Sequence, residues 1–285
     1  MTIGIGLLAT DASRTPKPNS LIFLADTKGS FGQTYSMNRL HKIFRDDEVR
    51  LYAVAADRID YATSLFTLIS KMLHETFKGR GYTDVQDAVH AASDLFKRSC
   101  FRYDVLPQHV QPPLSIPELF TEKDLTPELL EEWRKFYFRC QMIVGAMLGN
   151  GQCCLFYIDG SGGVENFTFP GFAAIGSGAQ NAMFWLSYRN QHLGNSIKHS
   201  AYHGFEAKLM AESSAFVNDK CEMLVVTSEG PFELNDFKPQ PKNVLFTLAE
   251  MRKMFASYGP RSTDGLTQPP RPKKAKQQGA KQRNK

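Results

Sequence analysis

Strand-like and helix-like segments are grouped along this chain, and the grouping narrows the folds open to it. Short apolar runs predict strands at 3–8, 21–25, 42–44 and 51–55 before any helix of useful length. Two helices and an insertion follow, then strands, two more helices and two last strands. A doubly wound sheet needs a helix between successive strands, so this order predicts an α+β fold instead. We expect a four-layer αββα sandwich, in which two antiparallel sheets pack face to face between helical layers.

The two successive helices are predicted from apolar residues that recur on one face. The first has such a face in Ile59, Ala62, Phe66, Ile69 and Leu73. In the second, Thr83 and Gln86 have the spacing of a capping box, ahead of an apolar face made of Val85, Val89, Ala92 and Phe96. Both helices are therefore expected to pack one side against a sheet.

A proline-bearing insertion at about 105–138 separates the two halves of the pattern. Within it we expect a helix with Thr126 as N-cap and Pro127 as its first residue, running through Tyr137. Beyond the insertion, four strands, two helices and two strands are predicted at 142–148, 153–158, 164–169, 172–175, 179–188, 197–211, 222–226 and 231–234.

Charge divides the chain into a nearly neutral body and a basic tail. Residues 260–285 hold eight Lys or Arg and one Asp, a charge of +7, which leaves −2 of the total +5 for residues 1–259. The tail has one leucine and no aromatic residue, so we predict that it is disordered. We expect one domain over 1–259 and a solvated tail, with nucleic acid or an acidic partner as a weaker alternative role for the tail.

Composition also bears on compartment and cofactors. No apolar run reaches eighteen residues and the apolar start lacks a basic leader, so neither a membrane span nor a secretory signal is expected. The five cysteines lack zinc spacing and are odd in number, which favours a reducing, cytoplasmic location without a disulfide framework. His199 and His203 lack further ligands for a metal, and we expect no metal or organic cofactor.

The chain begins with Met1-Thr2, which offers a nucleophile and a base in one residue. Initiator methionine is removed when the second residue is small, so we expect a mature chain that begins at Thr2. Its hydroxyl would lie beside a free α-amine, whose reference pKa of about 7.7 to 8 suits a general base. Threonine after methionine is common, and this feature alone does not establish catalysis.

A longer pattern resembles the proteasome β-subunit group of N-terminal nucleophile hydrolases. In that family a strand ends in Ala-Asp-(Ser/Thr)-Arg-(Ala/Gly)-(Thr/Ser), and a lysine lies sixteen residues after the aspartate. Residues 24–30 here read LADTKGS, and Lys42 lies sixteen residues after Asp26. The segment IGSGA at 175–179 resembles the family's glycine-serine-glycine turn. Apart from the insertion, the resemblance covers most of residues 2–235.

Carried over position by position, the resemblance implies a role for five residues. Thr2 would be the nucleophile, with its own amine as the base. Lys42 would lower the pKa of the threonine hydroxyl, and Asp26 would keep Lys42 oriented and protonated. The N–H of Ala56, where the family usually has glycine, would donate to the oxyanion, and Ser177 would hydrogen-bond around the terminal amine.

The resemblance further implies a proteasome-like threonine peptidase or amidohydrolase in a ring-shaped homo-oligomer. Its substrate would be a peptide or unfolded protein, with an ATP-dependent unfoldase as a further partner. However, Ser214 and Val217 stand where peptide-cleaving members carry an aspartate and a serine, and Asp219 is displaced from those positions. A second interpretation stays open: an inactive scaffold subunit in which Asp26 and Lys42 form only a structural ion pair and the basic tail holds a partner.

Overall fold

The computed structural model describes residues 3–10, 17–27, 29–31, 35–37, 41–75, 81–109, 116–117, 119–213, 217–236 and 245–258. Its strands are β1 (Ile3–Ala9), β2 (Ser20–Asp26), β3 (Gly29–Phe31), β4 (Tyr35–Met37), β5 (Ile43–Asp46), β6 (Leu51–Asp57), β7 (Cys140–Met147), β8 (Cys153–Ile158), β9 (Val164–Asn166), β10 (Phe172–Gly176), β11 (Cys221–Thr227) and β12 (Gly230–Asn235). Its helices are α1 (Ile59–Glu75), α2 (Tyr82–Asp104), α3 (Leu106–His109), α4 (Pro127–Lys135), α5 (Ala179–Tyr188), α6 (Ile197–Ala211) and α7 (Leu248–Tyr258).

Two five-stranded antiparallel sheets form the centre of the molecule. One has the strand order β10-β1-β2-β11-β12, and the other has the order β5-β6-β7-β8-β9. The chain passes from the first sheet to the second between Asp26, where β2 ends, and Ile43, where β5 begins. The short strands β3 and β4 lie between these two points in the sequence. The α+β fold class and the antiparallel pairing are confirmed.

Three apolar clusters separate four layers, as predicted. One cluster fills the space between helices α1 and α2 and the β5–β9 sheet, a second lies between the two sheets, and a third lies under α5 and α6. Strand β1 shows how alternation produces this packing. Ile3, Ile5 and Leu7 face α6, whereas Gly4 and Gly6 face the opposite sheet. The strand is buried on both faces, which explains its continuous apolar sequence.

The start of α2 differs from the prediction. The helix begins at Tyr82, and its N-cap is Gly81, whose backbone N–H donates to Asp84 Oδ2 at 3.1 Å. The capping box predicted at Thr83 and Gln86 is therefore wrong. Asp84 sits at the third helical position and reaches back to the residue before the helix, which leaves Thr83 inside the first turn.

The insertion forms its own apolar cluster, and its helix is shorter than predicted. Thr126 is the N-cap of α4, because its hydroxyl accepts from Leu129 N at 3.4 Å, and Pro127 opens the helix. The helix ends at Lys135, since Phe136 has extended dihedrals, so Tyr137 lies outside it. The cluster around α4 consists of Phe101, Leu106, Ile116, Phe120, Leu129 and Trp133.

Among the elements that sequence reasoning missed, α7 packs its Leu248 and Met251 into the cluster under α6. Within the described ranges, no helix is long and apolar enough to cross a membrane.

Candidate active site

Three strand ends meet at one end of the first sheet. Ile3 at the start of β1 pairs with Gly176 at the end of β10, and Gly4 pairs with Ala25 near the end of β2. In an antiparallel sheet the start of one strand lies beside the ends of both its neighbours. The register therefore brings Ile3, Asp26 and Gly176 to the same end of the sheet, although they are far apart in sequence.

Asp26 and Lys42 form a buried ion pair at this end of the sheet. Lys42 directly precedes β5 of the second sheet, and its Nζ donates to Asp26 Oδ1 at 2.6 Å. The two side chains are 2% and 0% exposed. The same Oδ1 accepts a hydrogen bond from the backbone N–H of Ile3 at 3.0 Å. One carboxylate oxygen thus joins the lysine to the first described residue of β1.

Burial and neighbouring charges act in opposite directions on this lysine. Burial lowers the pKa of Lys42 below its usual value, because an ammonium group loses hydration inside the protein. The charge of Asp26 and its hydrogen bond raise the pKa again, as does the more distant Glu222. The pKa of Lys42 stays below its usual value, and the carboxylate limits the decrease that burial causes.

Ser177 lies one residue beyond the last paired position of β10. Gly176 before it has φ +87°, and its N–H donates to the Gln141 side-chain oxygen at 3.0 Å. Gly178 after it is the N-cap of α5, and Ser177 itself is exposed. The serine thus lies in a turn at the same end of the sheet, directly after β10, the strand that pairs with Ile3.

The ladder points the N–H of Ala56, the expected oxyanion donor, away from Lys42. Ala55 N donates to Lys42 O at 3.0 Å on the β5 side, and Arg58 N donates to Arg139 O at 3.1 Å on the β7 side. N–H directions alternate along a strand, so Ala56 N–H points to β7, where Gln141 is its register partner. Asp57 N–H is the next group on the Lys42 side.

Asp57 occupies the last position of β6 with an unusual backbone. Its φ of +72° is uncommon for a residue other than glycine and marks the point where the strand turns toward α1. Partial burial raises the pKa of its carboxyl group. The residue that would face Asp57 by continuation of the β5–β6 register is residue 40, which lies outside the described residues.

The segment after α6 supports the site through a residue that sequence reasoning overlooked. Val217 is buried in the apolar cluster under α6, and Ser214 lies outside the described residues. Asp219 is 76% exposed on its side chain and pairs with Lys220. Asn218 instead reaches Thr27, the residue after Asp26, with two hydrogen bonds of 3.3 Å. The only signal for this contact in the sequence was an amide side chain directly after Val217.

The expected nucleophile, Thr2, lies outside the described residues, as does Met1. Of the remaining predicted site residues, Asp26 and Lys42 are bonded to each other, and Ser177 lies at the same end of the sheet.

His199 and His203, the two histidines considered above as metal ligands, bond to neighbouring side chains. In the part of the chain that the structure describes, no three His, Cys, Asp or Glu residues are arranged to hold a metal ion. His203 Nδ1 instead contacts the Gln191 side-chain oxygen at 2.9 Å, and His199 Nδ1 contacts Ser196 Oγ at 2.9 Å.

Comparison with solved structures identifies proteins of the same fold. HslV from Trypanosoma brucei is similar at a TM-score of 0.50 and 18% identity, over 79% of this chain and 98% of that one. Anbu, named as an ancestral beta-subunit, from Yersinia bercovieri has a TM-score of 0.59 at 12% identity, over 90% and 94% of the two chains. A Gly-1 mutant of Anbu from Hyphomicrobium sp. strain MC1 has a TM-score of 0.58 at 14% identity, over 90% and 93%.

No protein-family model matches the chain, and no curated protein matches it either. At identities of 12 to 18% the similarity establishes architecture, and it agrees with the two sheets and helical layers described above. The chain therefore has a proteasome β-subunit-like fold.

Proposed function

We propose that this protein is a threonine hydrolase of the peptidase type, with Thr2 as its nucleophile after removal of Met1. The observation that carries the proposal is the buried Lys42–Asp26 pair, bonded through Asp26 to the N–H of Ile3. Thr2 is the residue joined to that nitrogen. A buried ammonium braced by a carboxylate is thus anchored one peptide bond from the candidate nucleophile.

Each group has a chemical task in the proposed reaction. The α-amine of Thr2 takes the hydroxyl proton, directly or through water, and the oxygen attacks the substrate carbonyl. The C–N bond then breaks, and the leaving amine receives the proton. Water hydrolyses the resulting ester and restores Thr2. The charge of Lys42 lowers the pKa of the hydroxyl, while Asp26 keeps the lysine charged and in place.

Two further groups complete the proposed site. The β1–β10 register pairs Ile3 with Gly176, the residues that directly follow Thr2 and precede Ser177 in the sequence, which supports a hydrogen bond from the serine near the amine. The N–H of Asp57 faces the Lys42 side of β6, so we assign the oxyanion contact to Asp57 in place of Ala56. A backbone N–H serves this role whatever side chain the residue carries.

The fold similarity supports a wider set of proposals about partners. The substrates are peptides or unfolded proteins, the chain assembles with copies of itself into a ring, and an ATP-dependent unfoldase delivers the substrate. Five buried, unpaired cysteines fit a cytoplasmic location.

Two measurements test the proposed nucleophile. Intact-mass spectrometry of the full chain is expected to show loss of Met1. A threonine-directed electrophile followed by peptide mapping is expected to label Thr2. Substitution Thr2→Ala should abolish labelling, whereas Thr63→Ala, which alters an exposed threonine on α1, should leave it unchanged. Labelling that persists in Thr2→Ala would disprove the proposal.

An inactive scaffold subunit is the second candidate, and one observation favours it. Val217, at a position where peptide-cleaving relatives were expected to carry a polar group, is buried among apolar residues. A retained Met1 would block the amine of Thr2 in a peptide bond. That result, together with oligomers of native mass, would support the scaffold.

A further inference from the structure

A second buried lysine lies close to the site and has no role in the reaction described above. Lys208 on α6 is 0% exposed, and its Nζ donates to Glu212 Oε1 at 2.6 Å and to the main-chain oxygen of Asn218 at 2.7 Å. A buried ammonium must be paired to be tolerated, and an apolar side chain of similar volume is often as stable. Packing alone therefore does not account for a lysine here.

Asn218 extends the contact of Lys208 to the strand that carries Asp26. The side-chain oxygen of Asn218 accepts from Thr27 N at 3.3 Å, and its Nδ2 donates to Thr27 Oγ1 at 3.3 Å. Thr27 follows Asp26, and the β2–β11 ladder ends at the pair of Asp26 with Cys221. Past this point Asn218 holds the backbone of Thr27, and Lys208 holds Asn218.

The other end of the same segment has an independent anchor. Cys221 N donates to Asp236 Oδ2 at 2.8 Å, and Arg252 on α7 forms two bonds of 2.6 Å with the Asp236 carboxylate. The segment 218–221 is therefore held at both ends, and Lys208 provides the hydrogen bond at the Asn218 end. Its charge also lowers the pKa of Lys42, although less than burial does.

We propose that Lys208 is a positioning residue: by holding Asn218 against Thr27, it sets the orientation in which Asp26 meets Lys42 and the N–H of Ile3. The inference rests on the proposed function, because only a reaction at Thr2 would depend on this orientation. It gives α6 a part in the site although α6 contributes no group to the chemistry itself.

The test compares Lys208→Met and Asn218→Ala with a control at another buried ion pair of α6. Arg189→Met breaks the ion pair of Arg189, which follows α5, with Glu206 on α6. This pair is also buried and also 2.6 Å long, but its hydrogen bonds join Glu206 to Arg189 and Trp185 of the α5 region. Two quantities are measured on the full chain. Amide hydrogen exchange reports how firmly Thr27 N–H is held, and the rate at saturating electrophile reports acylation of Thr2.

We expect Lys208→Met, which removes one charged hydrogen bond, and Asn218→Ala, which removes two neutral ones, each to raise exchange at Thr27 and to lower the acylation rate by about tenfold. The electrophile concentration for half-maximal rate should change little. The double variant should be no slower than either single variant, since both act through one path. Arg189→Met should alter stability without altering either quantity at the site.

Wild-type exchange at Thr27 in Lys208→Met would overturn the inference, as would an equal loss of acylation in Arg189→Met. Faster exchange with an unchanged acylation rate would also overturn it. In that case Lys208 would hold the segment at 218–221, but this contact would not affect the reaction at Thr2. If the wild-type chain does not react at Thr2, the proposed function itself has failed. Exchange at Thr27 still shows whether Lys208 holds the segment, so the two failures are distinguishable.

Discussion

Asp26 uses one oxygen for two bonds, and this makes it the residue on which the site most depends. It holds the Lys42 ammonium at 2.6 Å and the Ile3 N–H at 3.0 Å, and its side chain is fully buried. Removing one member of a buried ion pair leaves the other charge without compensation, which is more costly than removing both. The pair thus links local stability to the proposed chemistry.

Substitution Asp26→Asn is expected to destabilise the protein and to slow acylation of Thr2. The amide keeps the size of the carboxylate but removes the negative charge bonded to the buried Lys42. We expect this to lower the free energy of unfolding by about 3 kcal/mol. Denaturant titration measures this loss. Asp60→Asn, at an exposed carboxylate paired with Arg58, is the control and should cost less than about 1 kcal/mol. Equal losses in the two variants would contradict the prediction.

His203 provides a residue-scale prediction about pH. It is buried, its Nδ1 contacts the Gln191 side-chain oxygen, and its Nε2 has no hydrogen-bond partner among the described residues. Protonation would add a buried N–H without an acceptor. Burial, together with the charge of Arg189, lowers the pKa of His203 to about 4.

The sign of the effect follows from proton uptake. Between about pH 6.5 and pH 4 the unfolded chain binds a proton at this histidine and the folded chain does not. Stability should therefore fall as pH decreases through this window, by at most about 3 kcal/mol. Denaturant titrations at pH 7 and pH 4.5 measure the fall. It should be smaller in His203→Leu but unchanged in His90→Gln, which alters an exposed histidine on α2.

At the scale of elements, the close approach of the two sheets depends on glycines that face large apolar side chains. A Cβ added to Gly145 on β7 would lie 2.8 Å from Leu21 Cδ2 and 2.9 Å from Phe23 Cζ, both on β2 of the opposite sheet. Real Cβ atoms do not come this close, so one sheet or both side chains would have to move. Helix and strand propensity would not have revealed this constraint.

Gly145→Ala is therefore expected to destabilise the sandwich by about 1 to 3 kcal/mol through overpacking. Thermal denaturation measures the loss. Adding Leu21→Val, which shortens one of the two side chains in the way, should make the double variant more stable than the sum of the single changes predicts. Strict additivity would indicate that the strain lies elsewhere.

Helix boundaries show where local sequence signals compete. Thr83 and Gln86 have capping-box spacing, but α2 begins one residue earlier than Thr83, because Asp84 caps the N–H of Gly81. Helix α7 was missed because it follows residues with no strong pattern, and only its packing under α6 shows which face is apolar. Strands buried on both faces were easier to find, since their apolar runs are continuous.

At the scale of the whole molecule, the charge distribution separates the body from the tail. The four apolar clusters all lie within residues 3–251, and the basic residues of the tail follow the last helix. Within the part of the chain that the structure describes, these clusters supply the packing between the layers. Tail and fold are therefore expected to be independent.

A chain that ends at residue 259 should keep the melting temperature and the native mass of the full chain. It should lose any salt-sensitive binding to nucleic acid, since eight of the 34 Lys and Arg residues lie in the removed tail. Native mass spectrometry and titration with a short DNA duplex at two salt concentrations measure both properties. A lower oligomeric mass after truncation would instead assign the tail to assembly.

Apart from β3, β4, α3 and α7, the order of the strands and helices was available from sequence, as were the fold class and the sixteen-residue spacing of Asp26 and Lys42. Periodicity and spacing are local properties of the chain. The N–H direction of Ala56, the tie from Lys208 through Asn218 to Thr27, and the approach of Gly145 to β2 were not available from sequence. These depend on strand register and on which side chains two distant segments bring together. Only the folded packing determines such contacts, since residues up to 191 positions apart must first be placed side by side.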